Sequence, residues 1–136
     1  MHKENPPNTG FTFANKLSDV AAAKRDILNF MGTSQVAQTR RNFAAEGFID
    51  RTIRKWPKKK ARYGGPTLQK TGRGKASVRV LEKTQNTVAV GSTVPYLFLH
   101  QHGIGFPVRK WLGHSAQNAL RIARYMHFRL SKTMLR

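Results

Sequence analysis

The sequence predicts an α+β fold: a small antiparallel β-sheet packed against a long N-terminal helix and a C-terminal helix. Three observations predict it. Apolar residues recur at helical spacing from about residue 16 to 46, two short segments of alternating β-branched residues follow, and a second helical stripe ends the chain. Helix, hairpin, short element and helix in that order suit a layer of helices over one face of a small sheet. The chain has 136 residues, of which 39% are hydrophobic, enough for one domain with a modest core.

Residues 1–12 are polar, contain Pro6, Pro7 and Gly10, and show no apolar period, so they are expected to form a flexible arm ahead of a single domain over 13–136. Leu17, Val20, Ala21, Ile27, Leu28 and Met31, continued by Val36, Arg40 and Phe43, predict one long helix with a possible break near Gly32, or two helices. Gly47 is the expected stop, since glycine accepts the left-handed conformation that helix ends favour. Residues 49–75 crowd ten Lys and Arg around Trp56, Pro57, Gly64, Gly65 and Pro66 and are expected to form a basic loop.

Val78 with Val80, and Val88 with Val90, then alternate along two segments joined by the polar link Thr84-Gln85, which makes an antiparallel hairpin the simplest pairing. The segment from Tyr96 to Gly103 is apolar, then polar, and fits either a strand or a short helix. From Ser115 onward, Ala116, Ala119, Leu120, Ala123, Met126, His127, Leu130 and Met134 make a helical stripe backed by Arg121, Arg124, Arg129 and Lys132. Ser115 stands where its hydroxyl can cap that helix.

Charge is the strongest feature of composition: 25 Lys and Arg against 6 Asp and Glu give a net charge of +19. Such a field attracts polyanions, and phosphate neutralisation with counterion release makes nucleic acid a natural partner. A basic surface facing an acidic protein neighbour fits equally well. No run of 18 apolar residues and no charged-then-apolar leader is present, so neither a membrane span nor a secretory signal is expected. Without cysteine, disulfides, thiolate metal ligands and a cysteine nucleophile drop out.

Groups suited to catalysis are scattered. His100 and His102 share a face on a strand but separate on a helix, and no carboxylate stands in their segment; hydrogen bonding to backbone or to a neighbouring subunit is the expected use. Asp19 and Asp26, seven apart on the first helix, are expected to be solvated helix charges. Ser115 and Ser131 lack an elbow motif. Gly72-Arg73-Gly74-Lys75 lacks the strand, the spacing and the Ser or Thr of a phosphate-binding loop. The run Trp56-Pro57-Lys58-Lys59-Lys60-Ala61-Arg62-Tyr63 interleaves cations with aromatic rings, as sequence-tolerant nucleic-acid contacts do, though a solvated basic loop has the same composition. No catalytic, cofactor-binding or metal-binding residue is assigned.

Several segments together resemble the phage virion morphogenesis family, which includes tail completion proteins of Mu-like phages and is similar to other head-to-tail joining and tail terminator proteins. The matching order spans about 90 residues. It runs from Arg41-Asn42-Phe43-Ala44-Ala45-Glu46-Gly47 through Trp56-Pro57 and Leu68-Gln69-Lys70-Thr71-Gly72 to Val90-Gly91-Ser92. Pro95-Tyr96, Leu99-His100-Gln101-His102-Gly103 and Pro107-Val108-Arg109-Lys110-Trp111-Leu112-Gly113 complete it. Arg73-Gly74 departs from the pattern, where a leucine usually stands two residues beyond Thr71-Gly72.

The resemblance implies a structural virion protein and not an enzyme. It would complete or terminate the tail, or join it to the head, as a ring of copies at the neck, a hexamer on the expected stoichiometry. It also implies that Tyr96, His100, Gln101, Gly103 and Arg109 are fold or ring-contact residues. Partners would be the chain itself, tail tube proteins and head-connector proteins, in the virion and in the host cytoplasm during assembly.

Six copies would carry roughly +114, while a duplex threading a ring about 35 Å deep offers roughly 20 phosphate charges. Both DNA and acidic neighbours are therefore expected to meet the surplus, with Lys58, Lys59, Lys60 and Arg62 leading. The alternative is a basic nucleic-acid-binding module whose basic loop and last helix track DNA or RNA phosphates.

Overall fold

The computed structural model describes residues 13–59 and 73–134; the expected arm at 1–12 and the middle of the expected basic loop lie outside it. The α+β fold is the fold observed, with its antiparallel strands in two separate two-stranded sheets. Helix α1 (Phe13–Ala45) is unbroken over 33 residues, roughly 50 Å at helical rise, and every other layer rests on it. Gly32 does not break it. A Cβ there would stand 3.0 Å from Val80 Cγ2 and 3.1 Å from Val88 Cγ2, so the missing side chain is what lets a hairpin seat on the helix.

The stop expected at Gly47 falls one residue earlier. Glu46 takes the left-handed conformation with φ 52°, while Gly47 already belongs to β1 (Gly47–Ile49), which pairs antiparallel with β2 (Ile53–Lys55). Gly47 is required for another reason: a Cβ would meet Arg54 O at 2.6 Å. The stretch expected to be a basic loop from 49 thus contains a hairpin, because Phe48 is buried and holds β1 against the protein while Asp50 N–H closes the turn on Thr52 O at 2.9 Å. The same stretch ends in α2 (Arg73–Ser77), one short helical turn.

The second hairpin pairs β3 (Arg79–Lys83) with β4 (Val88–Gly91) and carries a bulge at Leu81, between Val80 and Glu82. Val78, which the alternation placed on a strand face with Val80, precedes the strand and is fully buried. The chain then enters α3 (Pro95–His102), which settles the ambiguous Tyr96–Gly103 segment as helix, with Pro95 in the first turn where its missing N–H costs nothing. Phe43, Trp56, Val78, Val94, Leu97 and Trp111 form the core, and Phe43 lies edge-on to Trp56 at 5.5 Å.

Helix α4 (Ala116–Met134) begins where Ser115 Oγ accepts from Asn118 N at 3.0 Å and Asp50 Oδ1 accepts from Ala116 N at 2.7 Å. It runs antiparallel along α1 through polar and aromatic contacts. Phe30 stacks on Tyr125 at 4.2 Å, Ser34 donates to Asn118 Oδ1, and Arg129 pairs with Asp26 at 3.0 Å. Arg129 is therefore part of the packed face, and Asp26 is a partnered carboxylate and not a solvated one. The apolar stripe instead faces outward: Leu120 and Met134 are 51% and 62% exposed, and Ala116, Ala119, Ala123, Met126 and Leu130 are exposed too.

Candidate functional site

The residues from Tyr96 to Leu112 fold back on themselves through side-chain bonds to the main chain. Gln101 holds the crossing: its Oε1 accepts from Trp111 N at 3.0 Å and Leu112 N at 3.2 Å, and its Nε2 donates to Leu112 O at 2.8 Å. The amide side chain thus stands in for a paired strand, satisfying three main-chain groups. Arg109 N–H closes on His100 O at 2.8 Å, and Trp111 Nε1 donates to Leu97 O at 2.7 Å.

Asn42, at the buried end of α1, donates to Trp111 O at 3.0 Å and accepts from Ile49 N at 3.0 Å. It joins helix, first hairpin and this frame at one amide. Sequence reasoning passed over it, although Ser34, Gln38 and Asn42, all buried, recur every fourth residue, which is the available signal.

His100 and Arg109 meet inside the frame, with Arg109 Nη1 3.0 Å from His100 Nδ1. A guanidinium has no acceptor, so Nδ1 accepts and the imidazole is neutral with its proton on Nε2. Burial, and after it the Arg109 charge, lowers the His100 pKa below its ordinary value. Burial likewise lowers that of Arg109, which is 5% exposed and donates its Nε to Pro57 O at 2.8 Å. A buried cation held by a carbonyl and a neutral ring fixes geometry more than it adds stability.

Gly103 ends α3 in the left-handed conformation at φ 67°, its N–H on Leu99 O. A Cβ there would fall 2.6 Å from Val108 Cγ2, so the glycine permits the tight return of the loop. Tyr96 is half-buried against the core, and a Cβ on Gly74 would meet its hydroxyl at 2.6 Å. All five residues expected as fold or contact positions are thus found in one unit. His100 and His102 lie on a helix, His100 buried and His102 exposed, and among the described residues no three His, Asp or Glu side chains gather as a metal site would require.

The basic run is brought to the same place in part. Lys58 is exposed and Lys59 half-buried, immediately beyond Pro57, whose carbonyl Arg109 holds; Lys60 and Arg62 lie outside the described residues. Trp56 is not a surface ring for stacking bases. It is buried in the core and donates its Nε1 to Lys110 O at 2.8 Å, because a large apolar ring with one donor is better placed where both are satisfied. Elsewhere Arg41 has its pKa lowered by burial and then by the charge of Arg121, a like-charge approach across α1 and α4.

Large apolar side chains surround the frame on its outer side. Phe98, Ile104, Phe106 and Val108 are between 46% and 58% exposed, Phe98 resting on His102 and Phe106 on His100. Fold and site together define a small, strongly basic α+β domain in which a hydrogen-bonded frame holds an apolar loop at the surface. Comparison of the chain with protein-family models, with curated proteins and with solved structures finds no match in any of the three.

Proposed function

We propose that the chain is a structural protein of a tailed-phage virion that completes or terminates the tail, or joins tail to head, as a homo-oligomeric ring at the neck around the DNA path. The observation that supports this most is the apolar surface of Phe98, Ile104, Phe106 and Val108, held by the Gln101–Trp111 and His100–Arg109 bonds. Clustered exposed apolar side chains mark contact surfaces, and a rigid support removes much of the ordering cost of contact. In the ring this loop meets the next copy, and Tyr96, His100, Gln101, Gly103 and Arg109 hold its shape.

The role is assembly and not catalysis, with tail tube and head-connector proteins as further partners in the virion. The +19 charge meets genomic DNA and acidic neighbours, with Lys58, Lys59, Lys60 and Arg62 as contacts. Electron microscopy of particles produced with and without the chain tests the reading. Filled heads with unattached or over-long tails in its absence are expected; intact tailed particles would overturn it.

The same charge favours one other reading, a module that binds DNA or RNA phosphates. That reading requires the isolated chain to bind short duplexes with an affinity falling steeply with salt, and to do so without partner proteins.

A further inference from the structure

Helix α4 and the β3–β4 hairpin both rest on α1 but diverge from it, and an apolar groove runs between them. Two adjoining hollows of about 280 and 250 Å³ mark its deepest part. Met31 and Gln35 of α1 form the floor, Ile122 and Met126 one wall, and Val88 and Val90 the other. The floor amide is already occupied: Gln35 donates to Gly113 O at 3.2 Å and accepts from Asn118 at 3.3 Å. An occupant therefore has to be apolar along its inner side. At helical spacing from Met31, Val20 and Leu17 continue the floor toward the start of α1 and are exposed, as are Leu130 and Met134 beside them on α4.

Cations stand on both banks. Lys24 and Lys83 bond only neutral amide oxygens, those of Asn86 and Asn29, so neither charge is cancelled in those bonds. Arg124 is exposed, one helical turn from Leu120 and Ala123 of the stripe. Of the acids, Asp26 is taken by Arg129, and Glu82 is exposed on β3. A second copy of this chain would bring another +19 to a bank that already repels it. A flat lipid surface would leave the floor uncovered, whereas a helix about 10 Å wide matches a groove between two elements.

We propose that this groove docks an acidic amphipathic helix of another protein, its apolar side over Met31 between Ile122 and Val90 and its carboxylates toward Lys24, Lys83 and Arg124. The proposal goes beyond the virion reading and does not depend on it.

A fluorescent synthetic helix of about 18 residues, roughly 27 Å long, with leucines along one face and glutamates elsewhere, tests it on the full chain by anisotropy at about 0.15 M salt. A scrambled peptide of the same composition is the charge control. Preference for the amphipathic peptide of at least about tenfold is expected, and Met126→Gln with Leu130→Gln, which keep the charge, should abolish that preference while circular dichroism stays unchanged. Equal binding of the scramble would overturn the proposal. So would sedimentation showing self-association that depends on Met126 and Leu130, or binding to phosphatidylserine vesicles with the same dependence and no preference between peptides.

Discussion

The frame from α3 to Leu112 and the helix α4 bury opposite kinds of side chain. In the frame, aromatic rings go inward and are fixed by polar groups: Trp111 is buried with its Nε1 on Leu97 O, and Gln101 binds the main chain on either side of it. In α4 the polar residues go inward, Asn118 and Thr133 among them, while Leu120, Leu130 and Met134 face out. Burial here follows which groups find hydrogen-bond partners across α1, not apolarity alone. Among the described residues no buried side-chain nitrogen or oxygen lacks a partner, as low-dielectric interiors require. An apolar face left outside such packing is available for contact.

The comparison breaks most visibly if the frame is not the stabilising half. Trp111→Ala removes a ring packed on Phe43 at 6.0 Å and should cost about 3–5 kcal/mol, a large share of the stability of a small domain; urea unfolding measures it. Gln101→Ala leaves two N–H groups and one carbonyl without their side-chain partner. It should cost about 2–3 kcal/mol, visible as a lower urea midpoint with unchanged slope. If Gln101→Ala is neutral, water replaces the amide and the frame is not what holds the apolar loop.

Legibility in the sequence divides along the same line. Helical period showed both long helices, and Ser115 was readable as a cap because an N-cap is a local matter of one side chain and one free amide. The inward face of α4 was not readable, since its burial depends on Asp26, Phe30 and Ser34 supplied from about a hundred residues away. The first hairpin was hidden in the same way: ten cations over residues 49–75 read as a solvated stretch, yet Phe48 and Trp56 anchor it. Five site residues were named through the resemblance, and geometry brings them together. Asn42 and Trp56 stayed unassigned because their partners, Trp111 O and Lys110 O, are main-chain groups that no side-chain pattern reveals.

A smaller effect sharpens the frame's electrostatics. With the folded His100 pKa below its ordinary value, the unfolded chain binds that proton first as pH falls, so protonation favours unfolding. Stability from this group is full above about pH 6.5, is lost as the pH drops through the window down to the lowered value, and then levels off when the folded imidazole protonates. The slope cannot exceed about 1.36 kcal/mol per pH unit. His100→Asn should remove this component of the pH dependence in thermal unfolding; a wild-type slope that persists in the variant would assign it to other groups.

The smallest effect is expected on α4, and its smallness is the point. Leu120→Gln and Leu130→Gln replace side chains that already face water, with a residue of nearly equal helix propensity. Each should shift stability by less than about 0.5 kcal/mol, or less than roughly 2 °C in melting temperature for a chain of this length. Tyr125→Ala, on the packed face against Phe30, should cost several times more. A melting loss at Leu120 or Leu130 equal to that at Tyr125 would mean that the stripe is covered in the isolated chain. The groove would then have no free wall to offer a partner.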